Sequence, residues 1–95
     1  MKKLTMIVMQ GCPYCAAAKR AIKELKAEQA AYAPLTVEEI EDGSTAAQAY
    51  GYGKDYYYVP SVFIEGEKCF EAQPGQSDES IKQAVARAFD RALEA

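Results

Sequence analysis

The chain has no histidine and no tryptophan. Without histidine it lacks the commonest metal ligand and the usual general base, so triads and zinc sites built on imidazole are excluded. Cysteine is sparse: three residues, an odd number, which does not suit the paired framework of a disulfide-stapled secreted domain. Positive charge is also short, with 11 lysines and arginines against 14 acidic residues and a net charge of −3. No basic stripe is available to displace counterions, and nucleic acid is not an expected partner. No stretch approaches the roughly 20 apolar residues of a membrane span. The opening MKKLTMIVMQ holds an apolar run of about six residues, short of the roughly 7–15 in the core of a signal peptide. A cytoplasmic protein without membrane association is expected. Ninety-five residues suffice for one domain, residues 1–95, and leave too little chain for a second core.

What is present reads as alternating elements. LTMIVM (4–9) is almost continuously apolar, as in a strand buried on both faces. From Pro13 to about Tyr32 the pattern is helical, with Ala18, Ala21, Ile22 and Leu25 on one face. Pro13 suits the first helical position, and Pro34 closes the segment. LTVEEIE (35–41) alternates like a strand, and Ser44 is a candidate cap for a short helix. SVFIEGEKCFEA (61–72) predicts two strands turning around Glu65-Gly66-Glu67. Ser77 and Asp78 are candidate caps for a last helix, whose apolar residues Ile81, Val85, Phe89 and Leu93 recur every fourth position. The order is βαβαββα. The first βαβ unit implies parallel strands, the hairpin antiparallel ones, and the sum is a mixed four-stranded α/β sheet with helices on both faces.

Cys12 and Cys15 stand where the first strand gives way to the first helix. At a helix start, free N–H groups and the positive dipole end favour thiolate over thiol, and thiolate is the form that attacks disulfides. Cys15 is nearly a turn further on, near enough to reach back and resolve a mixed disulfide. The expected asymmetry is an exposed, attacking Cys12 and a more buried, resolving Cys15, with Pro13 stiffening the turn between them. Lys19 and Arg20 follow about two turns along, about 10 Å away at 1.5 Å per residue, where exposed cations are largely screened.

CPYC after a first strand, with VPSVFI running from a Val-Pro into a strand about 45 residues later, resembles a glutaredoxin of the thioredoxin superfamily. The resemblance implies a thioredoxin-like fold and a thiol–disulfide oxidoreductase acting on protein disulfides or glutathione mixed disulfides. It also implies a cis Pro60 facing the cysteine pair, with Pro13, Tyr14, Val59, Pro60 and Asp78 meeting the substrate. No tightly bound cofactor or metal is expected; glutathione or a thioredoxin reductase supplies electrons, and the chain acts as a monomer. Two positions depart from the glutaredoxin pattern, and a third from that of thioredoxins. Met9 stands where a lysine is usual, Gly75 alone where a Gly-Gly pair is usual, and Gly11 where thioredoxins carry tryptophan.

The same cysteine pair admits another class of function, a soft-metal carrier or an iron–sulfur cluster carrier with glutathione as co-ligand. Soft-metal chaperones of this kind place methionine two before the first cysteine, where this chain has Gln10. Cys69, beside Phe70 in a predicted strand, reads as structural, since cysteine is among the most buried residue types; a third redox-active thiol is the alternative. Tyr50, Tyr52, Tyr56, Tyr57 and Tyr58 crowd the approach to Pro60. They are either packing for a long connection or an aromatic lip for a substrate peptide. Tyr14, inside the motif, is expected to be exposed.

Overall fold

The computed structural model of the chain describes residues 2–50 and 56–94. Strand β1 (Leu4–Val8) lies inside the sheet, and all five of its residues are buried, as its almost continuous apolar run leads one to expect. Met9, expected at its end, is outside the strand and 47% exposed. Beside β1 run β2 (Val37–Glu41), parallel to it, and β3 (Ser61–Ile64), antiparallel to it. Strand β4 (Glu67–Glu71) pairs antiparallel with β3, and the sheet order is β2-β1-β3-β4.

Side chains alternate across the two faces. Leu4, Met6, Val8, Val62 and Ile64 face the helices α1 (Pro13–Glu28) and α3 (Asp78–Leu93), forming the larger core with Ala18, Ala21, Leu25, Val85 and Phe89. Ile7 and Phe63 point the other way, where Ala47 of the short helix α2 (Thr45–Gln48) and Tyr56 cover them. The fold is the expected α/β thioredoxin-like one, a mixed four-stranded sheet with helices on both faces.

Local signals place most element ends. Ser44 and Ser77 cap α2 and α3, their hydroxyls accepting the N–H groups of Ala47 and Ser80. At the hairpin, Glu65 and Gly66 both have positive φ, 51° and 83°. That is the geometry of a two-residue loop matched to strand twist, and glycine adopts it without strain.

Three expectations shift. The first helix stops at Glu28, and Tyr32 belongs to a separate 3₁₀ turn, Ala30–Tyr32; there its ring meets Phe89 edge-on at 5.2 Å and its hydroxyl donates to Asp90 at 2.6 Å. Leu93 is 36% exposed. A four-residue repeat advances about 40° per step around a 3.6-residue helix, so by the third step it has left the buried face. Ala84, Ala88 and Ala92 complete the buried stripe instead. Finally, Phe70 opposes Val62 while Lys68 opposes Phe63. Cys69 is thus the extra residue of a β-bulge, a device with no simple sequence signature.

Candidate active site

Past Val8, the turn through Gln10 and Gly11 redirects the chain into α1, with Gly11 at φ 76°, a region that strains any side chain. Glu41, the last residue of β2, accepts the Gln10 N–H at 3.4 Å. This delivers Cys12 to the N-cap of α1. Its backbone is extended and its Sγ accepts the N–H of Cys15 at 3.3 Å, so sulfur does the work of a capping oxygen. Pro13 occupies the first helical position, and no acidic residue lies in the first turn.

The two thiols differ sharply. Cys12 is half-buried, whereas Cys15 is 2% exposed. Burial pushes the Cys15 thiol up from 9.0 to about 12, its bond to Cys12 adds to this, and the charge of Lys19 opposes it. The geometry is that of an accessible sulfur held by a helix start, with a protonated one beneath it. Both line an open groove of about 480 Å³ with Met9, Gln10, Pro13, Ala16 and Lys19. Lys19 thus borders the groove that holds both sulfurs, as the lean of helical side chains toward the N-terminus allows. Its ammonium is also 3.4 Å from Glu39.

The other wall is the segment before β3. The Val59–Pro60 peptide bond is cis, Pro60 is buried, and the Val59 carbonyl accepts the Cys12 thiol at 3.6 Å. Several bonds fix this segment. One carboxylate oxygen of Glu71 accepts the N–H groups of Tyr57 and Tyr58 at 2.8 and 2.7 Å. The Ser61 hydroxyl donates to the Tyr58 carbonyl at 2.6 Å, and the Ala72 N–H to that of Pro60 at 3.0 Å. Burial pushes the Glu71 carboxyl up, but bonds from Lys68, Tyr57 and Tyr58 outweigh it and leave the group below its ordinary value.

The remaining sequence candidates are distributed unevenly. Tyr14 is half-buried, not exposed, because its hydroxyl accepts the Gly75 N–H at 2.6 Å across the chain. Asp78 sits in the first turn of α3 beneath the Ser77 cap and pairs with Arg20 at 3.1 Å. It lines a separate charged crevice with Glu24, Glu79 and Lys82. The tyrosines divide. Tyr56 is buried against Phe63 and donates to Asp42, and Tyr50 rests on the same ring. Tyr57 and Tyr58, next to the Val59–Pro60 bond, are 63% and 48% exposed. Tyr52 lies outside the described residues. The Cys69 thiol donates to the Val62 carbonyl at 3.3 Å and is pushed up by burial. Glu41 and Glu71 were not legible as site residues, since an acidic residue closing an edge strand ordinarily reads as a solvated end. Among the described residues no three histidine, cysteine or acidic side chains are placed to share a metal ion, and no helix is long and apolar enough to cross a membrane.

A family model described as Glutaredoxin matches residues 3–69. The chain belongs to the glutaredoxin family. The match takes in Cys12, Cys15, Val59 and Pro60 and ends before Tyr14's partner Gly75 and before Asp78. Among solved structures, the chain resembles that of glutaredoxin 1 from Francisella tularensis complexed with cacodylate. The two are 18% identical, the alignment covers 95% of this chain and 99% of that one, and the TM-score is 0.51. At that identity the likeness establishes the fold. No curated protein matches the chain. The chemistry of the glutaredoxin family is thiol–disulfide exchange, and the arrangement around Cys12 carries the parts that such chemistry needs: an accessible sulfur at a helix start and a second sulfur one turn away.

Proposed function

We propose that this glutaredoxin-family protein reduces disulfides of proteins, or mixed disulfides of glutathione, through the Cys12–Cys15 dithiol. The observation that carries the reading is the Cys12 sulfur serving as the cap of α1, with the Cys15 N–H aimed at it. A thiolate gains more from such a donor and from the helix dipole than a thiol does. Cys12 attacks one sulfur of the substrate disulfide, and the other leaves as a thiolate. Cys15 then loses its proton and attacks Cys12, releasing the second substrate sulfur and leaving a Cys12–Cys15 disulfide; two electrons have moved to the substrate. The buried, protonated state of Cys15 keeps it from competing for the first attack. Pro13, Tyr14, Val59 and Pro60 border the substrate, and Tyr57 and Tyr58 supply exposed aromatic area beside it. Asp78 is the one proposed contact directed to a different crevice, where Arg20 engages it.

No bound cofactor is required, because electrons return by exchange from glutathione or from a thioredoxin reductase, in a reducing compartment such as the cytoplasm and with the protein as a monomer. The deciding experiment follows NADPH consumption with a protein disulfide and, separately, a glutathione mixed disulfide as substrate. One arm supplies glutathione and glutathione reductase, the other thioredoxin reductase. Consumption in at least one arm, abolished by Cys12→Ser, is expected. Consumption in neither, by protein shown to be fully reduced at the start, would overturn the proposal.

A further inference from the structure

We propose that Glu71 is a positioning residue for exchange at Cys12: its carboxylate holds the backbone of Tyr57 and Tyr58, and through them the Val59–Pro60 edge against the Cys12 sulfur. The inference rests on Cys12 being the attacking thiol.

Glu71 ends β4, an edge strand, yet its side chain is only 11% exposed. One carboxylate oxygen takes two successive N–H groups, at 2.8 and 2.7 Å, and the other takes the Lys68 ammonium at 2.8 Å. Bonds to an ionised acceptor are shorter and about twice as strong as neutral ones. Tyr57 and Tyr58 lie between the bridge residue Tyr56 and β3, outside any strand, where Glu71 accepts both of their N–H groups. One residue further along, the Val59 carbonyl is 3.6 Å from Cys12 Sγ. A shift of the Tyr57–Tyr58 backbone is therefore a shift of the wall that a substrate disulfide must meet.

The other edge strand offers a comparison. Glu41 ends β2 and also reaches a backbone N–H beside the cysteine pair, that of Gln10, but through one exposed contact at 3.4 Å, beyond the usual range for N–H donors. Two short bonds from a nearly buried carboxylate outweigh one long one in water. A purely local role for Glu71, as half of an i,i+3 ion pair with Lys68, would leave exchange chemistry unchanged.

The test uses the full reduced chain and two variants. Glu71→Gln keeps an oxygen that can accept both N–H groups, whereas Glu71→Leu keeps the size and loses the acceptor. The readouts are the rate at which thiol is released from a disulfide-linked peptide, the step in which Cys12 attacks, and the hydrogen-exchange protection of the Tyr57 and Tyr58 amides. The leucine variant should exchange disulfides about ten-fold or more slowly, as for a reacting group misplaced by a fraction of an ångström to an ångström, and should lose protection at both amides. The glutamine variant should stay within about three-fold on rate and keep its protection, the rescue expected of an acceptor role. A folded leucine variant within two-fold of wild type on rate would overturn the proposal, as would equal slowing of both variants with amide protection intact. Should the leucine variant fail to fold, the wild-type amides decide: exchange at unstructured-peptide rates refutes the hold of Glu71, and protection supports it. A wild-type protein that releases no thiol from the peptide disulfide would instead refute the function proposed above, and the amide pattern would still report on Glu71.

Discussion

Replacing Cys15 with alanine should flatten the alkaline side of the protein's stability curve. The folded chain holds this thiol protonated up to about pH 12, against an ordinary value of 9.0. Between those values the unfolded chain has shed a proton that the folded chain still binds, so stability falls as pH rises through that window. One proton amounts to about 1.4 kcal/mol per pH unit once the unfolded thiol is fully ionised. Because titration only begins near pH 9, the loss accumulated between pH 8 and 10 is also about 1.4 kcal/mol. Truncation at a side chain that is 2% exposed will lower stability at every pH, so the slope and not the offset is the readout. Cys69, also pushed up by burial, is present in both proteins and cancels. Urea denaturation in half-unit steps from pH 8 to 10, with a phosphine reductant to keep the thiols apart, gives both slopes. Parallel curves for wild type and Cys15→Ala would refute the description of Cys15 as a buried, protonated thiol.

Two further outcomes test the surroundings of the pair. Cys69→Ala should leave disulfide reduction within a few-fold of wild type and cost about 1 kcal/mol of stability; a loss of turnover comparable to that of Cys12→Ser would place the third thiol in the mechanism. Tyr14→Phe removes the acceptor of the Gly75 N–H, so the Gly75 amide should exchange faster while stability falls by about 0.5–1.5 kcal/mol. An unchanged exchange rate at Gly75 would mean that the bond does not hold that loop in solution.

How far each feature could be read from sequence follows from how locally it is encoded. Pro13, Ser44 and Ser77 announce helix starts through their own chemistry, and CPYC places both sulfurs within one turn of each other at the start of α1. The continuous apolar run of β1 predicts an inner strand, and its neighbours follow from connection rules. Leu93 failed because a four-residue spacing only approximates the helical period over a few turns. Tyr14 joins Gly75 across 61 residues, and Glu71 reaches Tyr57 and Tyr58 across a bulged hairpin. Such partners are chosen by the fold, and neither residue carries a mark of its role in its immediate sequence.

Trapping of the reaction intermediate tests the division of labour between the two sulfurs most directly. Cys15→Ser and Cys12→Ser, each fully reduced, are mixed with a disulfide-linked protein substrate, quenched with acid, and examined by intact mass. The single thiol left at the helix cap should accumulate as a mixed disulfide in Cys15→Ser, because attack proceeds and resolution cannot. Cys12→Ser should accumulate none, because both remaining thiols, Cys15 and Cys69, are pushed up by burial and stay protonated. Equal trapping by the two variants, or trapping by Cys12→Ser alone, would contradict the assignment of Cys12 as the attacking sulfur.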